Sequence, residues 1–316
     1  MSAQWHERRE ASSPFTIRLL LGAGLHLGRS FMRAALYPLA LLFFLRRARE
    51  RRDSRAFLER ALGRHARNRD VLRHIRSYAQ TMLDRVFLLH DADLERFDVH
   101  LHGLDLLETQ MAQGRGVLLL GAHLGSFEVL RALTLRKPDL QLRVVMDLRR
   151  TQALNELMHA LNPGIAANVI DAGSDPGALA LALHAAANQG ALIGLLADRA
   201  RAGEATAPAG FLGAPAYFPT APYLIASMLD LPVVLAFGIY RGGNRYDLHF
   251  EAFAQSIKIP RGARAVQLQE CVVRFAARLE YYVRLYPYNW SNFYDFWHRP
   301  AEQPAARRES AAAGAR

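Results

Sequence analysis

Residues 117–130 read VLLLGAHLGSFEVL. The apolar run VLLL, at 117–120, stops at a glycine and gives way to a histidine, a second glycine, a serine and a glutamate. So short a run, bounded by glycine, predicts a buried strand of a parallel sheet rather than a helix. Gly121 and Gly125 permit a sharp strand-to-helix bend, and Ser126 stands where an N-cap belongs. On one continuous helix His123 and Glu128 would sit about 140° apart, so they meet only if His123 is still in the turn. An imidazole whose other nitrogen is bonded to a carboxylate has a fixed tautomer and raised basicity. A general base for a hydroxyl nucleophile needs both.

Working outward, the chain predicts alternating helices and strands. Helix 104–113 ends at Gly114, strand 117–121 leads into helix 126–136, and strand 142–147 into helix 151–161, stopped by Asn162-Pro163. Strand 167–170, helix 176–189 and strand 191–197 follow. This spacing implies right-handed crossovers and an α/β fold with a mainly parallel sheet flanked by helices. VVLAFGIY at 233–240, the turn Gly242-Gly243-Asn244 and RYDLHFEAF predict a hairpin at a sheet edge, with helix 263–285 packing back over the sheet. Between Asp70 and His90 a stripe of Val71, Leu72, Ile75, Ala79, Met82, Leu83, Val86 and Phe87 predicts an amphipathic helix.

Ligands of open α/β sheets gather at the carboxyl ends of the strands. Arg149 and Arg150 follow one strand and Asp198 and Arg199 another, so all are expected on the edge that carries His123. A base, a carboxylate and cationic side chains in one crevice suit a substrate that bears phosphate or develops an oxyanion. Asp171, in the loop after a short strand, reads as a cap.

Composition bounds the alternatives. The 316 residues are 51% hydrophobic and can bury a large core; the single Cys271 excludes an internal disulfide and a multi-cysteine zinc site. His100, His102, His159 and His184 lack a paired ligand at metal spacing, so no metal site is expected. The net charge is +11, and of the 40 basic residues only Lys137 and Lys258 are lysine. Twelve arginines face four acids between Arg46 and Arg76, a local excess of eight. Immediately before them, residues 15–45 are strongly apolar but broken by Arg18, His26, Arg29 and Arg33. The longest uncharged run there, Ala34 to Leu45, has 12 residues, against roughly 20 needed to span hydrocarbon. The pattern predicts an interfacial helix or hairpin seated on an anionic leaflet. No signal peptide is expected, and nucleic acid is disfavoured as a partner because the basic cluster lies beside an apolar anchor rather than a reading module. The division expected is 1–14 and 301–316 disordered, 15–69 membrane-associated, and 70–300 the α/β unit.

GAHLGSFE also resembles the H-x4-D/E motif of the glycerolipid and lysophospholipid acyltransferase superfamily, most of all its branch of lipid A late (lauroyl/myristoyl) acyltransferases. The resemblance continues through 144–158, 190–200, 211–227 and 287–297 and covers nearly the whole chain. It implies a membrane-associated enzyme on the cytoplasmic face of the cell inner membrane. The enzyme would move an acyl chain from acyl carrier protein, or acyl-CoA, to a lipid or glycolipid hydroxyl without a cofactor. It implies His123 as base with Glu128 as its partner. Arg149 and Asn155 fall in the second block, Asp198 and Arg199 in the third, and Phe211, Leu212, Gly213, Phe218, Pro219 and Thr220 in the fourth, all at the substrate. The third block reads ADR and the chain closes on NWSNFYDFW; both depart from the family's usual pattern and leave the acceptor open. Two other readings stand beside this one: an acyl-thioester hydrolase using the same site, and a basic lipid-binding protein without chemistry.

Overall fold

The structure, a computed structural model, describes residues 28–137, 140–149, 151–201 and 203–298. Residues 1–27, most of the apolar stretch before Arg29, the C-terminal tail and Arg150 lie outside them, so the expectations of disordered ends fall on undescribed residues. The described residues begin with three helices, α1 (Arg29–Arg46), α2 (Ala48–Leu62) and α3 (Asn68–Leu89), and the single turn α4 (Asp91–Leu94). Then follow β1 (Asp98–His102), α5 (Leu104–Met111) and β2 (Val117–Gly121). A 3-10 turn, Phe127–Arg131, leads into the short α6 (Ala132–Arg136). Next come β3 (Leu142–Met146), α7 (Gln152–Leu161), α8 (Pro163–Ala166), β4 (Val169–Asp171), α9 (Pro176–Asn188) and β5 (Leu192–Leu196). The ribbon β6 (Thr206–Phe211) and β7 (Ala214–Pro219), α10 (Ala221–Leu229), β8 (Val233–Gly242), β9 (Arg245–Ala254) and α11 (Arg264–Leu285) complete it.

Among the described residues seven strands form one sheet in the order β1-β9-β8-β2-β5-β3-β4, parallel except for the antiparallel hairpin β8–β9. The mixed α/β sheet flanked by helices is as the sequence predicts. The hairpin, however, is not at the edge: β1 pairs in parallel with β9 and covers it. The sequence hides β1 because DVHLH carries a charge and two histidines, and its residues alternate between exposed and half-buried. β6–β7 is a second unpredicted pairing, closed by Leu212 and Gly213 at φ 49° and 80°, the conformation that a two-residue hairpin loop demands.

β2 explains why VLLL decides the fold. It lies between β8 and β5 and is buried on both faces: Leu118 and Leu120 enter a core with α2, α9 and α11, Val117 and Leu119 a second core with Phe87, Leu107 and Val129. A strand filled on both faces reads as a continuous apolar run. The 3-10 turn replaces the expected start of helix 126–136 because Phe127 turns back over Gly121 and Gly194. A Cβ at either glycine would come within 2.7 Å of the Phe127 ring.

α3 is amphipathic, but its buried face is not the purely apolar stripe. His74, Ser77, Gln80, Thr81 and Asp84 are buried with Val71, Ile75 and Phe87. They form a polar seam bonded to neighbouring elements: Tyr240 donates to Gln80, and Tyr246 donates to Asp84 at 2.9 Å. Arg29 completes the Asp84 cluster with two hydrogen bonds of 2.8 Å, and Arg33 approaches at 3.6 Å. Arg29 and Arg33, two of the arginines that interrupt the N-terminal apolar stretch, thus clamp α1 onto α3, and Ala40 and Phe44 of α1 enter the same core as the sheet. Asp84→Ala strands a guanidinium and a phenol at a buried point. It is expected to cost about 3–5 kcal/mol, read as a lower urea midpoint.

Candidate active site

β2 and β5 pair in parallel with Gly121 opposite Leu196, so the residues just past their ends lie side by side at the carboxyl edge. His123 follows β2 and Asp198 follows β5. His123 Nδ1 lies 2.8 Å from Asp198 Oδ1, and the His123 backbone N–H donates to Asp198 Oδ2 at 3.2 Å. The Trp290 indole N–H donates to Oδ2 at 3.0 Å, and the Arg199 guanidinium lies 3.6 Å away. Asp198 is wholly buried, whereas the His123 side chain keeps 32% of its surface open.

Glu128 is not the partner of the imidazole. Its carboxylate accepts from Ser126 Oγ at 2.8 Å and pairs with Arg85 of α3 at 2.6 Å; among the described residues it has no ion pair with His123. The five-residue spacing fails because the 3-10 turn carries Glu128 toward α3, while the cross-strand neighbour already occupies Nδ1. Ser126 sits at the cap position without capping, since its hydroxyl is spent on Glu128.

Burial pushes Asp198 up, but His123, Arg199 and Trp290 outweigh it and hold the carboxyl well below the usual range. Asp198 is therefore an acceptor, which assigns the proton to Nδ1 and leaves the Nε2 lone pair available. Crowding around the ring, despite its open edge, lowers His123 below its ordinary value; Arg199 adds to this, Asp198 opposes it, and Arg85 contributes a smaller lowering. At neutral pH the ring is a neutral base held in one tautomer.

The bend is fixed from behind. Gly125 has φ 72°, and a Cβ there would meet Gly238 O at 1.9 Å. The Gly125 N–H donates to Asn289 O and the Ser126 N–H to Gly238 O, both at 2.9 Å, while the Ser291 N–H donates to His123 O at 2.9 Å. The aromatic C-terminal segment is thus zipped to the histidine loop. Trp290 is fully buried against Phe57, Phe211 and Phe296, and its carbonyl faces His74 Nε2 at 2.8 Å. His74 Nδ1 in turn lies 2.7 Å from Ser54 Oγ. The sequence offers one signal for Trp290, its place in the aromatic ending, and none for His74 or Arg85.

The other expected residues divide. Arg199 is at the site but occupied: it donates to Ser291 O and stacks 5.3 Å from the Tyr294 ring. Arg149 is exposed past β3, one strand beyond β5, and Asn155 is half-buried in the first turns of α7. Phe211 and Phe218 are fully buried, and Pro219 and Thr220 lie beneath the surface, the Thr220 hydroxyl donating to Ala205 O. The Phe211 ring packs on Trp290, and the Phe218 ring on Phe211, Phe296 and Phe275 of α11. Gly213 is the exposed turn of that ribbon. Asp171 caps its loop, accepting from the Leu148 and Gly173 N–H groups.

A neutral imidazole aimed by a buried carboxylate, at the carboxyl edge of a parallel sheet, is the equipment of an enzyme that activates a hydroxyl. Residues 15–299 match the family model described as bacterial lipid A biosynthesis acyltransferase, and the chain belongs to that family. It is accordingly an acyltransferase, and its acceptor is a lipid. Among curated proteins no relative matches.

His74 gives a pH test of the polar seam. Burial holds its imidazole down at about 4, against the Trp290 carbonyl, which raises it. An unfolded histidine titrates near 6.5, so unfolding takes up a proton between those values. Stability is expected to fall as pH drops from 6.5 toward 4, by about 3 kcal/mol in full. Urea unfolding of wild type and His74→Gln at pH 7 and pH 4.5 should show that loss flattened in the variant.

Proposed function

We propose that this acyltransferase moves a fatty acyl chain from the thioester of acyl carrier protein to a hydroxyl of a lipid A-type glycolipid, with His123 as general base and Asp198 as the group that orients it. The observation that carries the reading is the 2.8 Å contact between His123 Nδ1 and a buried, ionised Asp198 beside an open ring edge. His123 Nε2 takes the acceptor's proton as its oxygen attacks the thioester carbonyl, and Asp198 stabilises the imidazolium that forms. Collapse of the tetrahedral intermediate expels the thiolate, which recovers the proton from His123. A covalent acyl-enzyme is not part of the scheme: Cys271 is buried on α11, and burial raises its thiol.

The developing oxyanion needs a cation or free N–H groups. The Gly125 and Ser126 N–H groups and the Arg199 guanidinium are already engaged. Arg85, whose charge is felt at His123 and which Glu128 holds in place, is the better candidate. Glu128 then serves the reaction through Arg85, and Arg149, exposed past β3, suits the phosphate of donor or acceptor.

The acceptor is a membrane lipid, and α1 offers a surface for reaching it. Its buried stripe is Met32, Leu36, Ala40 and Phe44; the opposite side exposes Phe31, Tyr37, Leu39, Leu41, Leu42 and Leu45. Among the described residues no helix is long and apolar enough to cross a membrane. An exposed apolar face followed at once by exposed Arg46, Arg47 and Arg52 suits seating on an anionic leaflet, here the cytoplasmic face of the inner membrane.

Incubation of the detergent-solubilised protein with labelled acyl carrier protein and either a lipid A precursor or a lysophospholipid separates the readings: acylated glycolipid, acylated phospholipid, free fatty acid or no product. His123→Ala is expected to lower turnover roughly 10²-fold or more, and Asp198→Asn to approach it. Full activity in His123→Ala would remove the base assignment. Leu39→Glu with Leu42→Glu is expected to abolish most sedimentation with anionic liposomes while leaving thermal stability near wild type, since both side chains are exposed.

A further inference from the structure

Away from the His123 edge, the register of β1 on β9 sets His102 opposite His249. Residues two apart on a strand share a face, so Asp247 stands beside His249, and His102 joins them from the neighbouring strand. One ligand atom from each of the three side chains lies within 4.8 Å of the others. The two imidazoles are stacked, with centroids 4.5 Å apart and planes within 10°, so holding one ion in the plane of both rings requires the exposed His102 side chain to turn. Two atoms of the cluster, His249 Nε2 and Asp247 Oδ1, are buried without a hydrogen-bond partner, and Asp247 is only 5% exposed. Buried polar atoms are ordinarily satisfied; here Nε2 has no partner and Oδ1 has only the loose 3.4 Å approach of Arg245 Nε, so both are open to a cation.

We propose that His102, Asp247 and His249 bind a divalent transition-metal cation of the zinc class, with further coordination completed by water. Two imidazoles and a carboxylate are a donor set that such cations favour, and two ligands i, i+2 on one strand with a third directly across give three donors converging from one face. Arg241 and Arg245 approach Asp247 at 3.3 and 3.4 Å without hydrogen-bonding to it; both are more than a third exposed and can turn out to solvent when a metal takes the carboxylate. The nearby His100 is already bonded to Asp98 and stays outside the set. Sequence spacing set His102 aside because its partners come from a strand far along the chain. The bound ion would rivet β1, which has one neighbour in the sheet, to β9. This assignment is independent of acyl transfer.

The test is calorimetric titration of Zn²⁺ into chelator-treated protein without a histidine tag, with Co²⁺ absorption as a second readout. One equivalent is expected to bind, raise the melting temperature and give a tetrahedral or five-coordinate Co²⁺ band. His102→Ala, on the exposed edge strand, and His249→Gln are each expected to weaken binding roughly tenfold or more and to erase both the band and the thermal shift. Wild-type binding no tighter than that of His102→Ala, or one equivalent persisting in both variants, would overturn the assignment.

Discussion

A single buried carboxylate organises this molecule. Asp198 sits where β5 ends and gathers an imidazole, an indole, a guanidinium and a backbone N–H around it. A lone ionised carboxylate at such depth would be untenable; four donors or cations from three separate parts of the chain make it stable. The same contacts that satisfy Asp198 fix the tautomer of His123. Stability and readiness for proton transfer therefore rest on one set of bonds.

The next layer explains why the C-terminal aromatics belong to the site. Trp290 reaches Asp198 with its ring and His74 with its carbonyl, while its neighbours bond to the loop around Gly125. Phe211 packs against the indole, and Phe218 backs Phe211. α3 contributes from the far side through His74 and, near Glu128, through Arg85. Its buried face is polar because it hydrogen-bonds to the sheet and the closing segment along most of its length.

α1 shows how one helix serves two environments. Arg29 and Arg33 at its start are turned inward onto Asp84, and a narrow stripe packs on the core. What remains outward is almost wholly apolar, which is unusual for a surface in water and fits the family's lipid acceptor.

The sequence alone determined the fold class, the strand 117–121, the helices around it and the presence of His123, Asp198 and Arg199 on one edge, because periodicity and glycine placement are local properties. It paired His123 with Glu128, whereas the carboxylate in contact with the ring is that of Asp198. Distance along the chain favoured Glu128, but strand pairing puts Asp198 alongside, and pairing is settled by the whole sheet. β1 escaped notice because an edge strand rich in charge and histidine has little apolar pattern, and with it went the meeting of His102, Asp247 and His249. The polar seam of α3 was likewise invisible: a buried His74 or Asp84 is tolerable only when its partners arrive, and those partners lie on elements far away in sequence. Tertiary structure decided these points because hydrogen bonds and ion pairs are satisfied in space, while the sequence records order along a line.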